Sequence, residues 1–99
     1  MIPNKVKFLG HEYGVMQVPA NDLEGGNGEA WLKKCQIKID RDLPESRKEA
    51  VLIHEILELI DAHFELELPH QKIETLEECL YVILKETGLL VFPVDGGKL

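Results

Sequence analysis

The chain has 99 residues, of which 44% are apolar and 29% are charged, and its formal net charge at pH 7 is −7. This length allows one domain, which we expect to span residues 1–99, and the apolar fraction argues against a disordered chain. The acidic charge argues against direct binding to nucleic acid or to an anionic membrane surface, since both repel a negative protein. Because the sequence has neither an apolar run long enough to span a bilayer nor a signal peptide at its start, we expect a cytoplasmic protein.

The first part of the chain, residues 5–40, has the alternating pattern of β-strands. Apolar and polar side chains alternate in residues 5–9 and again in residues 13–18, with a turn at Gly10 and His11 between them. This arrangement predicts a β-hairpin with His11 exposed in its turn.

One or two further strands are predicted after this hairpin. Residues 21–28 have the composition of a loop, and residues 30–34 follow as a possible third strand anchored by Trp31. Residues 35–39 alternate strictly, which predicts a strand whose inward-facing residues are Cys35, Ile37 and Ile39. Cys35 and the distant Cys79 do not form a closely spaced pair, so we expect two reduced thiols.

Two helices are predicted in the second part of the chain. The first should span about residues 46–65, because Ser46 is followed three residues later by a glutamate, as in a capping box. The second should span about residues 70–87, with Gly88 as a left-handed C-terminal cap. Strands followed by helices favour an α+β fold, in which a small antiparallel sheet packs on both helices.

The chain ends in an apolar segment, residues 89–92, which predicts a short strand or a packed tail. Pro93 and the glycine pair at 96–97 then end the ordered chain. The apolar segment is also able to pack against another copy, so a monomer and a small homo-oligomer both fit the sequence.

The first helix predicts a wide buried stripe and an opposite polar face. The members of the buried stripe are Leu52, Ile53, Ile56, Leu57, Leu59, Ile60 and Phe64. His63 also lies on the buried side, which favours a packing role. The polar face holds His54, and Glu58 lies one turn further on, within roughly 5–6 Å between Cβ atoms. Asp61 shares this face, as a partner that orients His54 or as an ordinary surface charge.

His54 and Glu58 are placed so that an imidazole nitrogen and a carboxylate oxygen can converge on one metal ion. Glu55 projects beside them, where the general base of a zinc hydrolase follows the first ligand. The alternative is that these residues are only the polar face of an amphipathic helix, and spacing alone leaves both interpretations open.

Several segments together resemble a known family in order and spacing. Residues 51–61, which contain His54-Glu55-Ile56-Leu57-Glu58, resemble the active-site helix of short metallopeptidase-like proteins of bacteriophages and prophages, which are minimal relatives of ImmA/IrrE-type zinc proteases. The resemblance continues in residues 66–74 and 80–84 and reaches back to residues 8–15 and 37–40, so it covers most of the chain.

The resemblance implies a minimal zincin-like fold and a zinc site of the HExxE type. His54 takes the position of the first ligand, Glu55 that of the general base and Glu58 that of the second ligand, where most zinc proteases have histidine. This departure matters because a carboxylate is a harder ligand, which would make zinc less electrophilic and favour other divalent metals. It would equally fit a lineage that has lost catalysis.

The second helix should supply the third ligand, and three residues qualify. Its predicted buried stripe consists of Ile73, Leu76, Leu80, Ile83 and Leu84. Glu77 lies at the edge of this stripe by helical arithmetic and ranks first. His70 shares that edge and ranks second, while Glu74 is supported mainly by its place in the family-like segment.

The function expected from this sequence is therefore that of a phage-borne, zinc-dependent peptidase that cleaves peptide bonds with a metal-activated water molecule. Its partner would be a peptide or protein substrate. The alternative is a non-catalytic binding module on the same fold, which would bind a protein regulator. In the peptidase, residues 31–34 would by analogy pair with the substrate backbone along an edge strand.

Overall fold

A computed structural model describes residues 1–92, and the predicted chain end at Pro93 and at 96–97 lies outside them. The described part is a small α+β fold with a four-stranded sheet and two helices. The four strands are β1 (Lys5–Phe8), β2 (His11–Val18), β3 (Gly28–Trp31) and β4 (Gln36–Asp40). A short 3₁₀ turn, Ala20–Asp22, follows β2. The helices are α1 (Glu45–Phe64) and α2 (His70–Glu86).

The sheet is mixed, so the prediction of a wholly antiparallel sheet is wrong. Its strand order is β1-β2-β4-β3, in which β1 pairs with β2 and β3 pairs with β4 in antiparallel hairpins. The central pair, β2 with β4, is parallel. The reason is burial: Ile37 and Ile39 on β4 are both 0% exposed, so β4 occupies the centre of the sheet and β3 its edge.

The core lies between this sheet and α1. Its buried members come from the N-terminal segment, the two central strands and α1, and are Ile2, Tyr13, Val15, Ile37, Ile39, Val51, Leu52 and Leu59. The predicted inward positions Ile37 and Ile39 are confirmed. Cys35 is only partly buried because it lies in the turn before β4 with a positive φ of 52°. That turn also explains why the third strand is Gly28–Trp31 and not residues 30–34.

Both helices begin after a proline. The N-cap of α1 is Pro44, whose carbonyl oxygen accepts bonds from the backbone N–H groups of Arg47 and Lys48. The predicted capping box at Ser46 is therefore wrong, since the helix has already begun at Glu45. Pro69 is the N-cap of α2, and Gly88 has the predicted left-handed conformation, with φ at 75°.

The two helices pack along one side and are joined by a buried carboxylate. Glu49 on α1 accepts hydrogen bonds from the Tyr81 hydroxyl at 2.7 Å and from Lys85 Nζ at 2.9 Å. Burial alone would raise the pKa of Glu49, but these two hydrogen bonds together lower it below its usual value. This contact joins the N-terminal part of α1 to the C-terminal part of α2.

Several predicted core positions are exposed, at the end of α1 and along α2. Phe64 is 55% exposed at the end of α1, and Leu76 and Ile83 on α2 are exposed as well. His63 is exposed and so lies outside the core, but its ring packs in a T-shaped arrangement against those of Phe8 and Phe64, as a packing role predicts. In the tail, Phe92 packs against the core while Leu89 and Val91 lie in solvent. No helix within residues 1–92 combines the length and the apolar character needed to cross a membrane.

The edge strand β3 approaches α1 most closely at Gly28. A Cβ atom at this position would lie 2.8 Å from Val51 Cγ1 and 3.0 Å from the carbonyl oxygen of Lys38. We expect Gly28→Ala to destabilise the protein by about 1–3 kcal/mol, because the strand must move away from a backbone atom. The matched control is Gly14→Ala in β2, where a Cβ would meet nothing within 4 Å. Urea unfolding of both variants tests this, and equal midpoints would contradict it.

Candidate metal centre

His54 and Glu58 lie one turn apart on α1, as the helical spacing predicts. The distance between His54 Nε2 and Glu58 Oε1 is 3.7 Å. The His54 side chain is 15% exposed and that of Glu58 is 38% exposed. The first two predicted ligand positions are therefore brought together at the edge of a half-buried site.

His70, at the first position of α2, completes a three-residue group. Its Nδ1 lies 3.9 Å from Glu58 Oε1, and its ring meets the ring of His54 edge-on with 5.3 Å between centroids. One donor atom from each of His54, Glu58 and His70 can be chosen so that all lie within 4.8 Å of one another. The second-ranked candidate for the third ligand thus joins the pair on α1.

The connection between the helices explains how His70 reaches this position. The backbone N–H of Leu68 donates to Asp61 Oδ1 at 2.8 Å, so the Asp61 side chain anchors the connection and not the His54 ring. Glu65 and Glu67 both have positive φ values, 52° and 56°, which turn the chain sharply. Asp61 therefore neither orients His54 nor serves as an ordinary surface charge. Its carboxylate accepts a hydrogen bond from the backbone just before α2.

The other two acidic candidates on α2 contact histidines. Glu74 Oε1 lies 2.8 Å from His70 Nε2, on the exposed side of that ring. Glu77 Oε1 lies 3.1 Å from His54 Nδ1. Glu77 therefore meets the ring nitrogen that faces away from Glu58, and its assignment as third ligand stays a prediction.

Glu55, the predicted general base, is 6% exposed and has no hydrogen-bond partner within residues 1–92. A Cβ atom at position 28 would lie 3.1 Å from Glu55 Oε2. Burial is the largest cause that raises the pKa of Glu55 to about 8. Repulsion from the carboxylates of Glu58, Glu29 and Glu77 raises it further. The absence of a side chain at Gly28 thus leaves room for a carboxyl group that is held in its protonated form at neutral pH.

A cavity of about 340 Å³ lies beside the group and gives Glu55 access to solvent. It is lined by His54 and Glu55 on α1, by the N-terminal half of α2, and by the glycine-rich residues 25–28, which lead into β3 and include its first residue. Within residues 1–92, every side-chain oxygen that is fully shielded from solvent has a hydrogen-bond partner. Because the Glu55 carboxyl group has none there, its oxygens must be reached by solvent, and the cavity that Glu55 lines provides that access. A cleft of this size admits a side chain or a short peptide segment.

The sequence pointed to His54, Glu55, Glu58 and His70. It did not reveal that Gly28 leaves space for the Glu55 side chain, or that Glu77 contacts His54. The seven-residue spacing of His70 and Glu77 was an available signal, since it places both on one face of α2. Which side of the His54 ring they meet depends on how the helices pack, which no spacing reveals.

Known proteins do not add to this description. Comparisons with models of protein families, with curated proteins and with solved structures each gave no match. The case for any function therefore depends on the residues of the site itself.

Proposed function

We propose that this chain is a divalent-metal-dependent peptidase of minimal zincin-like architecture, with His54, Glu58 and His70 as metal ligands and Glu55 as general base. One observation carries this proposal. Two imidazoles and a carboxylate from two helices converge beside a cavity, and a buried glutamate that has no hydrogen-bond partner in the described part of the chain opens into it.

The donor set fits a zinc ion in chemistry, and its donor atoms, which lie within 4.8 Å of one another, would have to move closer together to bind one. Two histidines and one glutamate hold the catalytic zinc of several proteases. Ligand atoms at 2.0–2.2 Å from a tetrahedral zinc ion lie about 3.4 Å apart, and the distances from Glu58 Oε1 to the two histidines are 3.7 Å and 3.9 Å. The same donor types also accept Fe²⁺ or Mn²⁺, so the identity of the metal has to be measured.

The residues of the chain have separate roles in peptide hydrolysis. When bound, a divalent ion supplies a Lewis acid that polarises the peptide carbonyl and makes water more acidic. The positive charge of a bound ion would lower the pKa of Glu55, so that its carboxylate accepts the proton from the attacking water and then donates it to the leaving amine. Its position one residue after His54 keeps its carboxyl group in the cavity, and burial beside Gly28 excludes bulk water from one side of it.

Metal analysis is the direct test of this proposal. Protein purified without chelator or nickel resin, then supplied with Zn²⁺, should bind close to one ion per chain by mass spectrometry and titration calorimetry. His54→Ala should lower this value to nearly zero, because it removes the most buried of the three ligands. His11→Ala, an exposed histidine at the start of β2, is the matched control and should bind like the wild type. A wild-type stoichiometry near zero in the presence of zinc would reject the proposal.

A further inference from the structure

The imidazole of His54 meets a different carboxylate on each of its two nitrogens. Glu77 Oε1 lies 3.1 Å from Nδ1, which is within hydrogen-bonding distance. Glu58 Oε1 lies 3.7 Å from Nε2, which is beyond it. The ring therefore makes one hydrogen bond on the Nδ1 side and is open on the Nε2 side.

We propose that Glu77 is a positioning residue that acts through His54 and is not itself a metal ligand. A neutral imidazole carries one proton, and the nitrogen that donates a hydrogen bond leaves the other nitrogen free to bind metal. By accepting a hydrogen bond from Nδ1–H, Glu77 selects the tautomer in which Nε2, on the side of Glu58, carries no proton and is free to bind metal. The effect of Glu77 on metal binding rests on the proposed function. Its effect on the tautomer of His54 does not, since that tautomer exists in the metal-free protein as well.

The surroundings of this hydrogen bond make it effective. The side chains of His54 and Glu77 are only 15% and 20% exposed, so water competes weakly for either group. A hydrogen bond to an ionised acceptor is stronger than one between neutral groups. The similar pair His70 and Glu74 is 68% and 55% exposed, and we therefore expect it to contribute less.

The geometry of α2 explains how one helix supplies both a metal ligand, His70, and the residue that positions His54, Glu77. His70 and Glu77 are seven residues apart, so they lie on the same face two turns from each other. His70 reaches Glu58 and Glu77 reaches His54 from that face. To become a ligand, Glu77 would have to leave Nδ1 and reach the Nε2 side, where Glu58 already lies.

Two substitutions at one position separate a positioning role from a ligand role. Glu77→Gln keeps an oxygen that accepts a hydrogen bond from Nδ1–H but is a poor metal ligand, whereas Glu77→Ala removes both functions. Glu78→Ala is the matched control, because Glu78 is the next residue, lines the same cavity and is exposed. Circular dichroism establishes that each variant is folded.

The first measurement uses the metal-free protein. Nitrogen-15 NMR of the imidazole at a pH of about 8, where free histidine is neutral, reports which nitrogen carries the proton. We expect the Nδ1–H tautomer of His54 in the wild type, in Glu77→Gln and in Glu78→Ala. In Glu77→Ala the proton should shift to Nε2. An Nε2–H tautomer in the wild type would overturn the inference whether or not metal binds.

The second measurement is metal affinity with Zn²⁺ and the visible spectrum with Co²⁺. We expect Glu77→Ala to weaken affinity about 10–100-fold, Glu77→Gln to lose less than about 10-fold, and the Co²⁺ spectrum to keep its shape, since the ligands are unchanged. Equal losses in both variants, with an altered spectrum, would show that Glu77 is a ligand. If the wild type does not bind metal, the proposed function fails while the NMR result still decides the role of Glu77.

Discussion

Glu55→Gln is expected to lower peptide hydrolysis by the zinc-loaded protein about 10²–10⁴-fold while leaving metal bound, which is the usual contribution of a general base. The amide has nearly the same shape as the carboxylate, so it fills the space beside Gly28 but cannot accept a proton from water. Hydrolysis of fluorescein-labelled casein, an unstructured substrate, measures the loss, and the zinc content of the same samples shows that the site is loaded.

The matched control for this variant is Glu78→Gln, which makes the same chemical change at an exposed position that lines the cavity. It should keep wild-type activity. Equal activity in Glu55→Gln would rule out Glu55 as the base. A wild-type protein that binds zinc in full but cleaves no peptide would contradict the peptidase and favour a regulatory module on the same fold.

The same substitution is expected to stabilise the metal-free protein. The pKa of Glu55 is raised from 4.5 to about 8, so the folded state holds a proton that the unfolded state has already lost between these two values. A group whose pKa is higher in the folded state destabilises the fold as pH rises through this window. The penalty is absent below pH 4.5, grows up to pH 8 and then becomes constant.

Glutamine has no proton to lose, so Glu55→Gln should not show this slope. At 1.36 kcal/mol per pKa unit, we expect it to raise the free energy of unfolding at pH 7 by on the order of 3 kcal/mol. Urea unfolding with chelator at several pH values measures the difference between variant and wild type, which should increase from pH 4.5 to 8. A constant difference across this range, or the same rise in Glu78→Gln, would contradict the assignment.

In these two predictions the Glu55 carboxyl group is needed for peptide hydrolysis but lowers the free energy of unfolding of the metal-free protein. A buried carboxyl group without a partner is costly in a protein whose total stability is about 5–15 kcal/mol. A divalent ion in the adjoining group would offset this cost by attracting the carboxylate. Glu55 lines the cavity, which opens one side of its carboxyl group to solvent and so reduces this cost.

Most of the secondary structure could be predicted from the sequence, because it depends on local rules. Pro69 separates the two predicted helices, and Gly88 takes up the left-handed conformation after α2, whereas the start of α1 was predicted from a capping box that the helix does not have. Alternation predicted the first hairpin and the buried face of β4. The closeness of His54 and Glu58 follows from one turn of helix, whatever the rest of the chain does.

Only the tertiary structure decided which distant residues share the site. The insertion of β4 beside β2, which makes the sheet mixed, depends on burial of a whole strand and not on any local pattern. The packing of α2 on α1 determined that His70 meets Glu58 and that Glu77 meets the other side of His54. Periodicity within one helix specifies neighbours on that helix, whereas contacts between elements depend on the shapes of all the side chains between them. For this reason the residue types of the candidate site could be identified from the sequence, whereas their contacts with one another are known only from the fold.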